Sequence, residues 1–130
     1  MKFSVDKQEK YTTLSLEEEN LNSVMAPDLK SEFVIMHNEG AKNLILDLSK
    51  VKFVDSSGLS AILTANRLWN NTSGSFILTG IENENVKKLI KISRLDTVFT
   101  IIPTISEAID YVFMEEVERE LNADADKDEA

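Results

Sequence analysis

A short polar segment, Asp55-Ser56-Ser57-Gly58, combines the side chains of this sequence that are best placed to do chemistry. It lies where an extended stretch gives way to a helical pattern, so Asp55 or Ser56 can cap the free amides of that helix. Gly58 permits a close backbone approach or an unusual turn. Ser57 then falls in the first helical turn with its hydroxyl outside the core. The segment predicts an accessible serine at a helix N-terminus.

The helical face that continues from Ser57 carries only small side chains, namely Ser60, Ala61 and Thr64. Such a face is flat enough for another protein to dock closely. The same composition is also typical of a well-capped helix whose small residues pack beneath a neighbouring element. Both interpretations stay open from this segment alone.

Catalysis by Ser57 lacks the partners that it would need. A nucleophilic serine requires a base and an orienting acid, yet His37 is the sole histidine and no Gly-x-Ser-x-Gly elbow surrounds Ser57. The absence of cysteine excludes thiolate zinc sites, and no glycine-rich phosphate loop occurs. We therefore expect no enzyme activity, no cofactor and no metal, and interpret His37 as an ordinary helix-end residue.

Two acidic clusters resemble metal sites only superficially. We interpret Glu17-Glu18-Glu19-Asn20 as a solvated loop after a strand. The pattern Asp124-x-Asp126-x-Asp128 imitates the opening of a calcium loop, but that loop needs glycine at its sixth position, where Glu129 stands. Calcium binding is not expected there.

The net charge limits the classes of partner that the protein is expected to bind. With 14 basic and 23 acidic residues the formal net charge is −9, which disfavours nucleic acid and anionic membranes and favours partners with basic patches. No segment approaches the roughly 18 apolar residues of a membrane span, and charge appears too early for a signal peptide. We expect a cytoplasmic protein with no membrane insertion.

Apolar periodicity predicts an alternation of strands and helices. Phe3 and Val5 alternate on one strand and Leu14 and Leu16 on the next, as in a half-buried hairpin, whereas 44–48 is nearly continuous and indicates a central strand. The predicted strands are 2–6, 11–16, 44–48, 51–54, 75–79 and 98–102, and four helices begin near 23–27, 59, 86 and 105. This order predicts a small α/β domain with a mixed sheet of about five strands and about four helices.

The last helix should begin with a capping box, Thr104-Ile105-Ser106-Glu107, after Pro103. Its apolar stripe includes Ile105, Ala108, Ile109, Val112 and Phe113, with extension to Val117 and Leu121. Residues 122–130 contain no apolar side chain larger than alanine. We therefore expect one domain over 1–121 and an acidic, disordered tail over 122–130.

The stretch from Leu44 through Asp55-Ser56-Ser57-Gly58 to Leu63 resembles the signature of the STAS domain, the fold of bacterial anti-sigma factor antagonists. The resemblance extends over about 2–113, including Ala26-Pro27-Asp28-Leu29 and Leu78-Thr79-Gly80. It implies a regulatory module without catalysis of its own. Its expected partners are an anti-sigma factor that is also a serine kinase and a serine phosphatase that reverses the modification.

The resemblance also implies roles for individual residues. Ser57, the second serine of the motif, matches the family's phosphorylated position, Asp55 and Ser56 would orient the site, and Gly58 would permit partner approach. The expected partner-binding residues are Asn22, Asp55, Ser56, Ser57, Gly58, Ser60, Ala61 and Thr64. One departure lies near the site: the family's Gly-x-Leu-Asp segment is replaced here, with Asn22 in place of the aspartate.

Two other functions remain as alternatives. A STAS accessory subunit of a lipid or anion transport system would use the same helix face without necessarily being phosphorylated. A phosphoacceptor receiver domain would need an acidic pair after its first strand and a lysine after its last. Asp47 could serve as its acceptor, but Asp6 has no adjacent acid and the last strand ends without a lysine.

Overall fold

The structure, a computed structural model, describes residues 1–128. The strands are β1 (Phe3–Lys7), β2 (Thr12–Leu16), β3 (Asn20–Leu21), β4 (Leu44–Asp47), β5 (Phe53–Val54), β6 (Phe76–Thr79) and β7 (Thr100–Ile102). The helices are α1 (Ala26–Asn38), α2 (Ser56–Asn70), α3 (Glu84–Ile92) and α4 (Ile105–Asp128), with a 3-10 turn at Leu95–Thr97.

The main sheet has five strands in the order β1-β2-β4-β6-β7. β1 pairs antiparallel with β2, and every other neighbouring pair is parallel. The predicted mixed five-stranded sheet with four helices is confirmed. The extended piece predicted at 51–54 does not join this sheet: β5 pairs in parallel with β3, where the sequence suggested only a loop.

Helices cover the two faces of the sheet unequally. Leu14, Leu46 and Leu78 share one register row and pack in a core with α1, α2 and α3. Their chain neighbours Ile45 and Ile77 face the other way, because successive strand side chains alternate, and pack against α4. The chain is therefore a three-layer domain with α2 and α4 on opposite faces.

The apolar residues of α4 divide between two faces, which corrects the single stripe predicted from sequence. Ala108 and Val112 are fully buried against the sheet. Phe113, Val117 and Leu121 are exposed instead, at 44%, 54% and 63%. Helical spacing alone does not indicate where the sheet ends. Beyond Val112, α4 runs past the polar edge of the sheet.

α4 also continues past the domain boundary expected at Leu121. The described helix includes 122–128, where the sequence suggested a disordered tail. This segment reads Asn-Ala-Asp-Ala-Asp-Lys-Asp, in which alanine and lysine favour helix and supply a local reason for the continuation. Residues 129–130 lie outside the described part of the chain.

Candidate functional site

The small β3–β5 ladder sets the position of the first turn of α2. The amides of Lys52 and Phe53 donate to the Glu19 carbonyl at 2.8 and 3.0 Å. The Asp55 amide then donates to the Leu21 carbonyl at 3.2 Å. These bonds anchor the residue before α2 to a segment more than thirty positions earlier in the chain.

Asp55 is the N-cap of α2 and also contacts the approach to α1. One carboxylate oxygen accepts from the Gly58 amide at 2.9 Å, which confirms the capping role expected for Asp55 or Ser56. The other accepts from the Ser23 amide at 3.3 Å. A single side chain thus connects the beginnings of two helices.

Gly58 is buried inside the domain, so its expected role in partner approach needs correction. A Cβ at this position would lie 2.5 Å from the Leu21 carbonyl oxygen and 2.9 Å from both Leu21 Cγ and Val54 Cγ1. The missing side chain therefore lets α2 pack directly on the β3–β5 ladder. The close approach made possible by glycine is internal.

Ser57 is half-buried at the edge of an open concavity between the starts of α1 and α2. The concavity has a volume of about 280 Å³ and is lined by Ser23, Ala26, Pro27, Lys30, Ser56, Ser57 and Ser60. Lys30 was missed by sequence reasoning, because nothing local indicates that α1 and α2 start side by side. The arrangement places Ser57 in the first turn of α2, where free helix amides lie, with Lys30 lining the same concavity.

The remaining residues predicted to contact a partner differ in how deeply they are buried. Ser56 and Ser60 are exposed, and Thr64 is half-buried with its hydroxyl donating to the Ser60 carbonyl at 3.0 Å. Ala61 is fully buried, which corrects its assignment to the docking face. The accessible surface around Ser57 therefore consists of Ser56, Ser57, Ser60 and Thr64, and we call it the α2 face.

Asn22 lies beside this region but has a local structural task. Its side-chain oxygen accepts from the Val24 amide at 3.0 Å, and its carbonyl accepts from the Ala26 amide at 2.8 Å. Asn22 therefore shapes the turn that begins α1.

Two large apolar side chains in the segments beside the concavity, Val24 and Phe53, are strongly exposed, and sequence periodicity did not identify them as surface residues.

The acidic run before β3 is partly neutralised by neighbours. Glu17 lies 3.8 Å from the Lys50 ammonium and Glu19 lies 3.2 Å from that of Lys52. Glu18 accepts from the Lys2 amide at 2.8 Å. Among the side chains that the structure describes, no group of three or more acidic or histidine residues is arranged to hold a metal ion.

His37 lies at the opposite end of the helix pair from Ser57. Its Nε2 is 2.9 Å from the Thr72 hydroxyl, and its ring contacts Trp69 edge-on at a centroid distance of 5.3 Å. Thr72 follows Ser57 by 15 positions, which is about 22 Å along a helix. His37 is therefore too far away to act as a base for Ser57.

Comparison with known proteins agrees with this geometry. The family model for the STAS domain matches residues 2–108. The chain belongs to the STAS domain family. This membership excludes the alternative of a phosphoacceptor receiver domain. Asp47, the acceptor candidate of that alternative, instead accepts hydrogen bonds from the Ser49 amide at 3.0 Å and the Ser15 hydroxyl at 3.2 Å.

Curated relatives share both the family and a functional name. A Thermotoga maritima protein provisionally named an anti-sigma factor antagonist is 35% identical over 82 residues, which is 63% of this chain and 67% of the relative. Its Thermotoga neapolitana homologue is 35% identical over 75 residues, 58% of this chain and 66% of the relative. The matches thus span about two thirds of these relatives.

Solved structures show the same fold. The Thermotoga maritima protein has a TM-score of 0.74 at 28% identity, covering 85% of this chain and 93% of that one. The antagonist SpoIIAA in its phosphorylated form has a TM-score of 0.65 at 22% identity, covering 85% and 99%. None of the described helices has the length and apolar character needed to span a bilayer.

Proposed function

We propose that this STAS domain is an anti-sigma factor antagonist whose binding is switched by phosphorylation of Ser57. In the unmodified form the α2 face binds an anti-sigma factor that is also a serine kinase, and the sigma factor is released. Phosphate on Ser57 ends that binding, and a serine phosphatase restores it. The protein would act in the cytoplasm, where sigma factors meet RNA polymerase.

The accessibility of Ser57 in the first turn of α2 is the observation that carries this proposal. Asp55 fixes that turn by capping Gly58, so Ser57 is held in a defined position beside the open concavity, where a kinase could reach it. Small neighbours at Ser56 and Ser60 leave room for the kinase to approach. The antagonist names of the Thermotoga relatives support the same role.

Phosphate mapping tests the proposal directly. With ATP and a histidine-kinase-fold anti-sigma factor from the same cell, we expect one phosphate on the wild-type chain and none on Ser57→Ala. Ser56→Ala is the matched control, since it removes the adjacent hydroxyl and should still be phosphorylated. Tandem mass spectrometry locates the phosphate. Reproducible mapping to another residue, or modification by none of these kinases, would favour the transport-subunit alternative.

A second prediction concerns the extent of the α2 face. Thr64→Arg is expected to weaken the complex with the anti-sigma factor about tenfold, because a long cation would replace a small side chain two turns after Ser57. Asn70→Arg is the control: it adds the same charge at an exposed position on a different side of α2. Calorimetric titration of both variants measures the effect. Equal affinities would place the interface elsewhere.

A further inference from the structure

α4 carries an apolar stripe that the domain leaves largely exposed, with the Phe113 ring touching Tyr11 edge-on at a centroid distance of 6.2 Å. Phe113, Val117 and Leu121 recur every four residues, and Met114 lies beside them with 66% of its surface exposed. At about 100° per residue, these four side chains fall within roughly 100° of one another around the helix. We call them the α4 stripe; it makes one exposed side of α4 apolar, as in a helix that packs against a partner.

Hydrogen bonds hold the α4 stripe away from the sheet. Ser75 donates to Glu115 at 2.9 Å and accepts from the Arg119 guanidinium at 2.6 Å. The Asn43 amide donates to Glu116 at 2.8 Å. These polar side chains occupy the sheet-facing side of α4 beyond Val112, so a small rotation of the helix cannot bury the stripe without breaking them.

The exposed charges that α4 itself carries around the α4 stripe are acidic. Exposed acidic side chains lie at both ends of the stripe and along its sides, at Glu107, Asp110, Glu118, Glu120 and Asp124. Arg119 is the only basic residue between 105 and 124, and it faces inward with Glu116 at 3.2 Å. An apolar centre with an acidic rim is complementary to an apolar segment flanked by Lys and Arg.

We propose that the α4 stripe is a docking site for a basic amphipathic helix of another protein. A straight row of side chains about 12 Å long suits the ridge of a helix laid along α4. A second copy of this chain would bring two acidic rims and two charges of −9 together, and an anionic lipid surface would meet the same repulsion.

This site is separate from the proposed role of Ser57 and does not rest on it. α2 packs on one face of the sheet and α4 on the other, so both surfaces are open at the same time. Occupation of the α4 stripe would therefore let the antagonist bind a second partner while the α2 face engages or releases its own.

The test uses a designed 18-residue amphipathic helix with a leucine stripe flanked by lysines as a fluorescent probe for the full chain. The double variant Val117→Gln with Leu121→Gln is expected to weaken probe binding at least tenfold. Its matched control, Ile92→Gln with Val98→Gln, changes two other exposed apolar residues without altering the charge and should stay within twofold of wild type. All four positions are exposed, so thermal melts should show folded proteins.

The charge requirement has its own measurement. Glu118→Gln with Glu120→Gln should weaken the probe several-fold at low salt, and that difference should vanish at 1 M salt. A probe with glutamates in place of lysines should bind far more weakly. Equal binding of the lysine probe to the Val117→Gln with Leu121→Gln variant and to its Ile92→Gln with Val98→Gln control, or no binding to wild type, would overturn the proposal. So would a stripe-dependent dimer in sedimentation, or binding to phosphatidylglycerol vesicles.

Discussion

Phosphorylation of Ser57 is expected to weaken binding to the anti-sigma factor by about a hundred- to a thousandfold while the domain stays folded. A phosphoserine carries a charge of about −1.5 to −2, which must lose its water against a surface shaped for a hydroxyl. A cost of about 3–4 kcal/mol corresponds to that loss of affinity. Titration of the phosphorylated and unmodified proteins measures it.

The fold should tolerate the phosphate because its surroundings suit an anion. Ser57 is the second residue of α2, where free amides and the helix dipole favour negative charge. Lys30 lines the same concavity and provides a further cation. The melting temperature should therefore be unchanged or slightly raised, and Lys30→Ala should remove part of any increase.

Three variants separate this switch from a general charge effect. Ser57→Asp should weaken binding only in part, since it has less charge and a different shape, and Ser57→Ala should bind yet resist phosphorylation. Ser106→Asp is the matched control, because Ser106 is likewise the second residue of a helix but lies on α4, across the sheet. A Ser57→Asp protein that binds as tightly as wild type would contradict the switch.

Gly58→Ala is expected to lower the free energy of unfolding by about 2 kcal/mol. The added Cβ would meet the Leu21 carbonyl at 2.5 Å, and that carbonyl is held by the Asp55 amide. Overpacking of this kind costs about 1–3 kcal/mol or more, and the better helix propensity of alanine offsets up to about 1 kcal/mol of that cost. The melting temperature should fall by about 6–12 °C.

Ser60→Ala is the control for this experiment, because it introduces the same residue at an exposed position of α2 and should leave the melting temperature nearly unchanged. Gly58→Ala should also weaken partner binding, since α2 must shift outward to relieve the clash and Ser57 shifts with it. A Gly58→Ala protein that melts within a degree of wild type would mean that the first turn of α2 has more freedom than its packing indicates.

Local chemistry was sufficient to predict the caps of α2 and α4 and most of the elements. Asp55 caps α2, and the Thr104 hydroxyl accepts from the Glu107 amide at 3.2 Å, as the capping-box pattern predicts. The continuous apolar run at 44–48 corresponds to β4, whose residues Leu44, Ile45 and Leu46 are fully buried. Each of these patterns depends on residues within about four positions of one another, so it can be recognised in a single sequence.

Burial at the site could not be predicted in the same way. Ser57, Ala61 and Thr64 share one side of α2 by spacing, yet Ala61 is fully buried while Thr64 is half-buried. The difference comes from which neighbouring elements pack beside each position. The β3–β5 ladder is a similar case, because a strand of two residues has too little periodicity to be recognised without its partner.

The sequence by itself determined the α/β class, the serine at the start of a capped helix and the acidic surface, since composition and short-range spacing specify these. Tertiary structure alone decided that Gly58 faces Leu21 rather than a partner, that Lys30 lies on the same concavity as Ser57, and that the apolar residues of α4 divide between two faces. These features join residues far apart in the chain. Their contacts exist only once the sheet has fixed where each helix lies, so no local pattern encodes them.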